Sequence, residues 1–312
     1  MRVLVLGAGA LGGFFGGKLQ KGGADVTYLV RPRRAAQLAE RGLVLRAQDG
    51  EIRLPAKVAL AGQLGGSYDL ILLCCKAYDL AGAVDAIAPA IGPGTAVLPF
   101  LNGVRHVDVL TERFGAAHVL GGATAVNAVL EPGGDVVQTP VRIAIPTAFG
   151  ELDGRRSPRA ERVLEAFTRA GVAFAVRDDI LAFMWQKFYG FASIATTAIL
   201  TRSRAGAIAR SRTGAALVSA ILAEVAGVVT AEGFAAPAQI ADVVRGIYAQ
   251  ADSKYGPSIL VDVEEGRPTE AAHTIGDLVE RAGRRGLAVP LLTAALGALE
   301  AYEVARSSRA AR

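Results

Sequence analysis

Lys187 stands in the stretch FMWQKFYGFASIATTAIL, residues 183–200, with Trp185, Phe188, Tyr189 and Phe191 around it and no acidic residue within six positions on either side. An ammonium group in such surroundings has two physical readings. It snorkels to water from a helix end, or it stays desolvated, its pKa falls, and it becomes a proton donor for a developing oxyanion. A second chemical stretch is GAGALG, residues 7–12. Gly7 suits a tight turn, Gly9 lets the backbone approach a pyrophosphate, and Gly12 permits close helix–strand packing. Ala8, Ala10 and Leu11 complete the loop, and the helix that follows offers free N–H groups to phosphate. About twenty residues on, an acid would bind a ribose 2′-hydroxyl and select NAD. The chain instead reads LVRPRR there, with Arg31, Arg33 and Arg34. Arginine suits a 2′-phosphate, so NADPH is the expected cofactor. Lys76, just past LILLCCK, falls at the carboxyl edge of a sheet, where ligands of such folds bind; a solvated loop lysine is its alternative.

The elements that would position these residues are legible from periodicity. RVLVLG reads as a strand, LGGFFGGKLQKGG as a helix, DVTYLVR as a strand and PRRAAQLAERG as a helix. LVLRAQDGEIRLP reads as a hairpin turning at Asp49-Gly50. YDLILLCCK is a continuous buried strand, DLAGAVDAIAPAI a helix and TAVLPFLNG another strand. This alternation argues for a parallel sheet covered on both faces. Residues 119–150 read as several antiparallel strands with a turn at Gly133-Gly134. From DDILAFMWQKF onward only helical periodicity remains, interrupted at EGFAAPAQ, KYGPS and EEGRP, and RSSRAAR reads as a frayed tail. The expected fold is an α/β Rossmann-type dinucleotide-binding domain over residues 1–177, followed by an all-α domain over 178–312 for substrate and dimerisation.

At 312 residues, 52% hydrophobic and 20% charged, the chain belongs with compact globular proteins rather than disordered ones. Its net charge of +5 comes from scattered arginines with no basic stripe among aromatics, which argues against nucleic acid. The two cysteines, Cys74 and Cys75, are adjacent. Strand neighbours point to opposite faces, so they read as buried thiols in a reducing, cytoplasmic setting, and no metal spacing exists. The first apolar run is broken by glycines and lacks a basic leader, and no span of eighteen apolar residues is free of Gly and charge, so no membrane association is expected. AALVSAILAEVAGVVTAEGF suits either a core or a homodimer interface.

GAGALG, CCKAYDL, FLNGV, WQKF, SILVDVEEGRPTE and RRGLAVP fall in the order found in ketopantoate reductases (2-dehydropantoate 2-reductases), and the chain resembles that family over essentially its whole length. The resemblance implies NADPH-dependent reduction of a small-molecule 2-keto acid. Carried over by position, Arg31 and Lys76 hold the adenosine phosphate end of NADPH and Ala128 lends backbone contacts to it. Asn102 sits near nicotinamide and substrate, Lys187 is the general acid, and Ser258 contacts the substrate. Glu270 contacts cofactor or substrate in the closed site. Each has a plainer alternative: Asn102-Gly103 as a turn pair, Ser258 as a helix cap, Glu270 as a complement to a helix N-terminus. The family commonly carries asparagines four and eight residues after the lysine, and here those substrate-contact positions are Phe191 and Ala195. That substitution makes the pocket more apolar and puts recognition of pantoate itself in question. A D-2-hydroxyacid dehydrogenase of the same fold acting on branched or aromatic substrates is the competing enzyme reading, and a non-catalytic NADP(H) sensor the competing class.

Overall fold

The computed structural model describes residues 1–140 and 146–310. It divides into two compact units, Met1–Leu101 with His106–Leu181, and Asn102–Arg105 with Ala182 onward.

In the first unit, β1 (Arg2–Leu6), α1 (Ala10–Lys21), β2 (Asp25–Leu29), α2 (Pro32–Arg41), the hairpin β3 (Leu43–Ala47) and β4 (Gly50–Leu54), β5 (Lys57–Ala59), β6 (Leu70–Leu73), α3 (Leu80–Ile87) and β7 (Ala96–Pro99) follow in order. The main sheet is all parallel, ordered β5-β2-β1-β6-β7. This is the doubly wound order, with its switch point between β1 and β6. Both faces are covered, which is why the strands read as unbroken apolar runs. Val3, Val5, Leu70 and Leu72 enter one core cluster with Phe15, while Leu4, Leu6, Ile71 and Leu73 enter another with Ile87. Cys74 packs on the first cluster and Cys75 on the second, and the two form no disulfide. The strand expected over YDLILLCCK is shorter than its apolar run, ending at Leu73.

After α4 (Arg105–Phe114) come β8 (Leu120–Ala123), β9 (Asn127–Leu130), β10 (Val136–Thr139), β11 (Thr147–Glu151), α5 (Pro158–Arg169) and β12 (Phe174–Val176). The antiparallel expectation holds for β9–β10 and β8–β11, but β10 joins β3 in parallel and β11 joins β12 in parallel. Pairings between strands so distant in sequence are set by tertiary packing, not by local pattern. The part of that expectation falling on residues 141–145 lies outside the described residues. Helix α5, capped by Ser157 accepting from Ala160 N at 3.1 Å, and β12 were not anticipated. In the β3–β4 hairpin the two turn residues are Gln48 and Asp49, and Gly50 already pairs with Ala47. Asp49 is then held by the buried Lys18 Nζ of α1 at 2.5 Å.

Helix α1 is packed between two sheets, and its glycines make this possible. A Cβ at Gly16 would lie 2.6 Å from the Tyr28 ring on β2, and one at Gly13 2.5 Å from Val136 on β10.

The second unit is helical throughout: α6 (Ile180–Thr201, its first two residues counted with the first unit), α7 (Ala205–Ala209), α8 (Gly214–Ala231), α9 (Ala238–Ile247), α10 (Ser258–Glu264), α11 (Ile275–Arg284) and α12 (Pro290–Ala310). The three interruptions read from sequence fall in the gaps after α8, α9 and α10. The tail differs from expectation: helix continues through Ala310, and the last two residues lie outside the described part. Helix α8 is long and apolar enough to cross a membrane by composition. It buries Val218, Leu222, Val225 and Val229, and its Glu224 carboxylate accepts from the N–H groups of Leu291 and Leu292 at 3.0 Å, capping α12. Those bonds belong to a helix bundle.

Candidate active site

At the carboxyl ends of β1 and β2 lies a cavity of about 850 Å³, lined by the glycine loop, Val30, Arg31, Arg33 and Arg34, the turn after β6 and the Leu130–Pro132 segment. Gly7 turns at φ +90°, and its N–H donates to Leu29 O at 3.0 Å, which fixes the loop to the end of β2. A Cβ at Gly12 would lie 1.8 Å from Gly7 O, so the helix can follow this turn only where that residue has no side chain. A Cβ at Gly9 meets nothing within 4 Å, and Gly9 lines the cavity. No side chain caps α1, and its first turn, containing Ala10, Leu11 and Gly12, carries no acid. Its leading N–H groups are thus available to an anion, and the loop fits the diphosphate of a dinucleotide.

The three arginines are not equivalent. Arg34 turns inward, its Nε donating to Ala8 O at 2.9 Å and its Nη1 to Gly134 O at 2.9 Å and Gln37 Oε1 at 3.2 Å. It braces the glycine loop against the β9–β10 hairpin while still lining the cavity, and its Nη2 has no hydrogen-bond partner among the described residues. Arg31 and Arg33 are exposed and line the cavity, and Arg31 Nη2 is 2.6 Å from Asp79 Oδ1. Lys76 is exposed between the lining residues Cys75 and Tyr78. Ala128 sits in β9 opposite Gln138, two residues before the lining residue Leu130.

The second unit gathers Asn102, Lys187 and Glu270. Asn102 Nδ2 donates to Glu270 Oε2 at 3.4 Å, and Glu270 is 8% exposed. Lys187 is half-buried as a residue, and burial lowers its pKa to about 8, opposed by the attraction of Glu270. This favours the desolvated reading over snorkelling. Gly103 takes φ +80°, which favours glycine, and a Cβ there would also sit tightly against His273 O at 3.1 Å. The start of α6 is anchored on its other side. Trp185 stacks on Phe234 at 5.3 Å and lies under the Arg281 guanidinium, which bonds Asp277 at 2.9 Å and Glu232 at 2.7 Å.

This burial has a measurable cost. A lysine whose folded pKa is about 8 against an ordinary 10.5 binds fewer protons folded than unfolded between those pH values. Stability therefore rises with pH across that window, and the penalty is fully present below pH 8. Lys187→Met should raise Tm at pH 7 by an amount equivalent to about 3 kcal/mol, and the gain should vanish near pH 10.5. Thermal melts of both proteins at the two pH values check this. An equal gain at both would show that the ammonium is not desolvated.

The remaining sequence candidates separate. Phe191 is half-buried and keeps accessible surface, whereas Ala195 has none, so the substrate-contact expectation passes to Phe191 alone. Ser193 and Thr197 spend their hydroxyls on Tyr189 O and Ser193 O, both at 2.8 Å, and are not polar substitutes for the missing amides. Ser258 opens α10 in an exposed position, after Pro257 rather than as a cap, and no hydrogen bond joins it to Lys187 or Glu270 among the described residues. Two residues escaped the sequence reading. His273 is buried beside Gly103, and burial together with the Arg105 charge lowers its pKa to about 4, keeping it neutral. Asp79 stands inside CCKAYDL, but only the fold shows that it meets Arg31.

Two family descriptions match the chain: "Ketopantoate reductase PanE/ApbA" over residues 3–153 and "Ketopantoate reductase PanE/ApbA C terminal" over residues 179–303. An uncharacterised oxidoreductase of Bacillus subtilis (strain 168), YkpB, is 31% identical over 97% of this chain and 99% of its own. A 2-dehydropantoate 2-reductase of Mesorhizobium japonicum is 29% identical over 90% of this chain and 93% of its own. Among solved structures, a 2-dehydropantoate 2-reductase from Geobacter metallireducens GS-15 superposes with a TM-score of 0.85 at 29% identity, covering 96% of this chain and 99% of the other. The fold is also that of D-mandelate dehydrogenase in complex with NADH and anilino(oxo)acetate, with a TM-score of 0.87 at 21% identity over 98% and 100% of the two chains. With an α/β nucleotide unit matched by one family description and a helical unit matched by the other, the chain belongs to the ketopantoate reductase family and is an oxidoreductase.

Proposed function

We propose that this protein reduces a 2-keto acid with an apolar side chain to the 2-hydroxy acid, using NADPH, with Lys187 as the general acid. The observation that carries this reading is the enclosed Lys187 ammonium beside Glu270, its pKa lowered to about 8. A bound dihydronicotinamide would supply the hydride. As the keto carbon accepts it, charge grows on the carbonyl oxygen, and the Lys187 Nζ–H is the donor that bonds this oxygen and transfers a proton to it. Glu270 holds the lysine charged enough to act, and Asn102, tied to Glu270, keeps its amide oxygen for a substrate or cofactor donor. The exposed arginine pair Arg31 and Arg33 supports NADPH over NADH.

Phe191 favours the substrate side of this reading. A pocket without amides rejects an added hydroxyl weakly, whereas one built on amides rejects its absence strongly. The expected result is that 2-ketoisovalerate and phenylglyoxylate are reduced with kcat/KM equal to or above that of ketopantoate. Phe191→Asn should move selectivity toward ketopantoate by about tenfold. Steady-state assays with NADPH on the three acids test both statements. A wild-type preference of about a hundredfold for ketopantoate would overturn the apolar reading. Absence of turnover on any 2-keto acid, with dinucleotide binding intact, would favour the sensor.

A further inference from the structure

We infer that Asp79 is a specificity-determining residue of the cofactor cavity, setting how strongly a 2′-phosphate is preferred over a 2′-hydroxyl. The inference rests on the dinucleotide reading of that cavity. In doubly wound folds the discriminating acid stands at the end of the second strand. This chain has Arg31 there, and the acid comes from elsewhere: Asp79, in the turn after β6, reaches 48 residues back to Arg31. Both side chains line the cavity with Arg33.

Neither helix capping nor stability accounts for the Asp79 carboxylate. Asp79 ends the 3-10 turn Ala77–Asp79 that runs into α3, its backbone is already helical, and its side chain makes no cap bond. Its partner Arg31 is 78% exposed, and an ion pair so open to water adds little to folding. What the carboxylate does is cancel one of the two exposed arginines among the three that line the cavity. A 2′-phosphate, carrying nearly two negative charges, must draw Arg31 from Asp79 and sit beside that acid, with Arg33 as the other exposed arginine of the cavity. Among the described residues Arg33 has no ion pair. A 2′-hydroxyl meets no such repulsion and can donate to the carboxylate. Asp79 therefore moderates the preference that Arg31 and Arg33 create, and keeps NADH within reach.

The test measures dissociation constants of NADPH and NADH by fluorescence titration without substrate, at fixed ionic strength. Wild type should prefer NADPH by about tenfold, or 1.4 kcal/mol. Asp79→Asn should widen the preference by about a further tenfold, chiefly through tighter NADPH, and the gain should shrink as salt is raised. Arg31→Ala, which frees the acid, should bring the ratio to one or below. If Asp79→Asn and Arg31→Ala both leave the ratio within about twofold of wild type while both cofactors bind, the role of Asp79 is refuted and the cavity assignment stands. If wild type binds neither dinucleotide, both fall together.

Discussion

Lys187→Ala should lower kcat by about two to four orders of magnitude while leaving NADPH affinity within about twofold. The loss should appear equally in kcat and kcat/KM, because the proton is needed only as charge builds on the carbonyl oxygen. Cofactor affinity should survive because the glycine loop and the cavity arginines belong to the first unit and Lys187 to the second. The pH profile gives an independent signature. Reduction requires the protonated lysine, so kcat/KM for wild type should fall as pH rises through about 8, the value to which burial lowers Lys187. That limb should be missing from the residual activity of Lys187→Ala. A well-folded variant with normal kcat would return Lys187 to the snorkelling reading.

Gly12→Ala and Gly9→Ala should differ sharply although both change the same loop by one methyl group. At Gly12 the new Cβ would lie 1.8 Å from the carbonyl oxygen of Gly7, a backbone atom already fixed by the Gly7 N–H bond to Leu29 O. Either α1 or the turn must move, at a cost of about 3 kcal/mol or more, and dinucleotide binding should be lost with it. At Gly9 nothing lies within 4 Å, so the apo protein should keep its stability to within about 0.5 kcal/mol. Its NADPH dissociation constant should nevertheless rise at least about tenfold, since the methyl group occupies space a diphosphate needs. Thermal melts of the apo proteins beside cofactor titrations separate the two. Unchanged NADPH affinity in Gly9→Ala would remove the phosphates from this loop.

Order and period in the sequence determined the α/β unit, the helical unit after it and the position of the nucleotide loop. Those features are local: unbroken apolar runs mean strands covered on both faces, and glycines seven, nine and twelve describe a turn, an opening and a close packing within one segment. Lys187 stood out for a similar reason, a charge among aromatic neighbours on its own helix. Its environment was only decided in three dimensions, where Glu270 and Asn102, 168 residues apart, are brought together in the same unit. The arginines show the limit most clearly. LVRPRR presents three equivalent cations, but Arg34 is turned inward to Ala8 O and to Gly134 O, 100 residues away, and Arg31 is paired with Asp79. Hydrogen-bond partners across such distances depend on which strands pair and how closely helices pack, and neither is encoded in the spacing of neighbouring residues. Ala195 lost its accessible surface by the same kind of packing. Periodicity says which face of a helix a residue takes, while the fold alone says whether that face still meets solvent, substrate or neither.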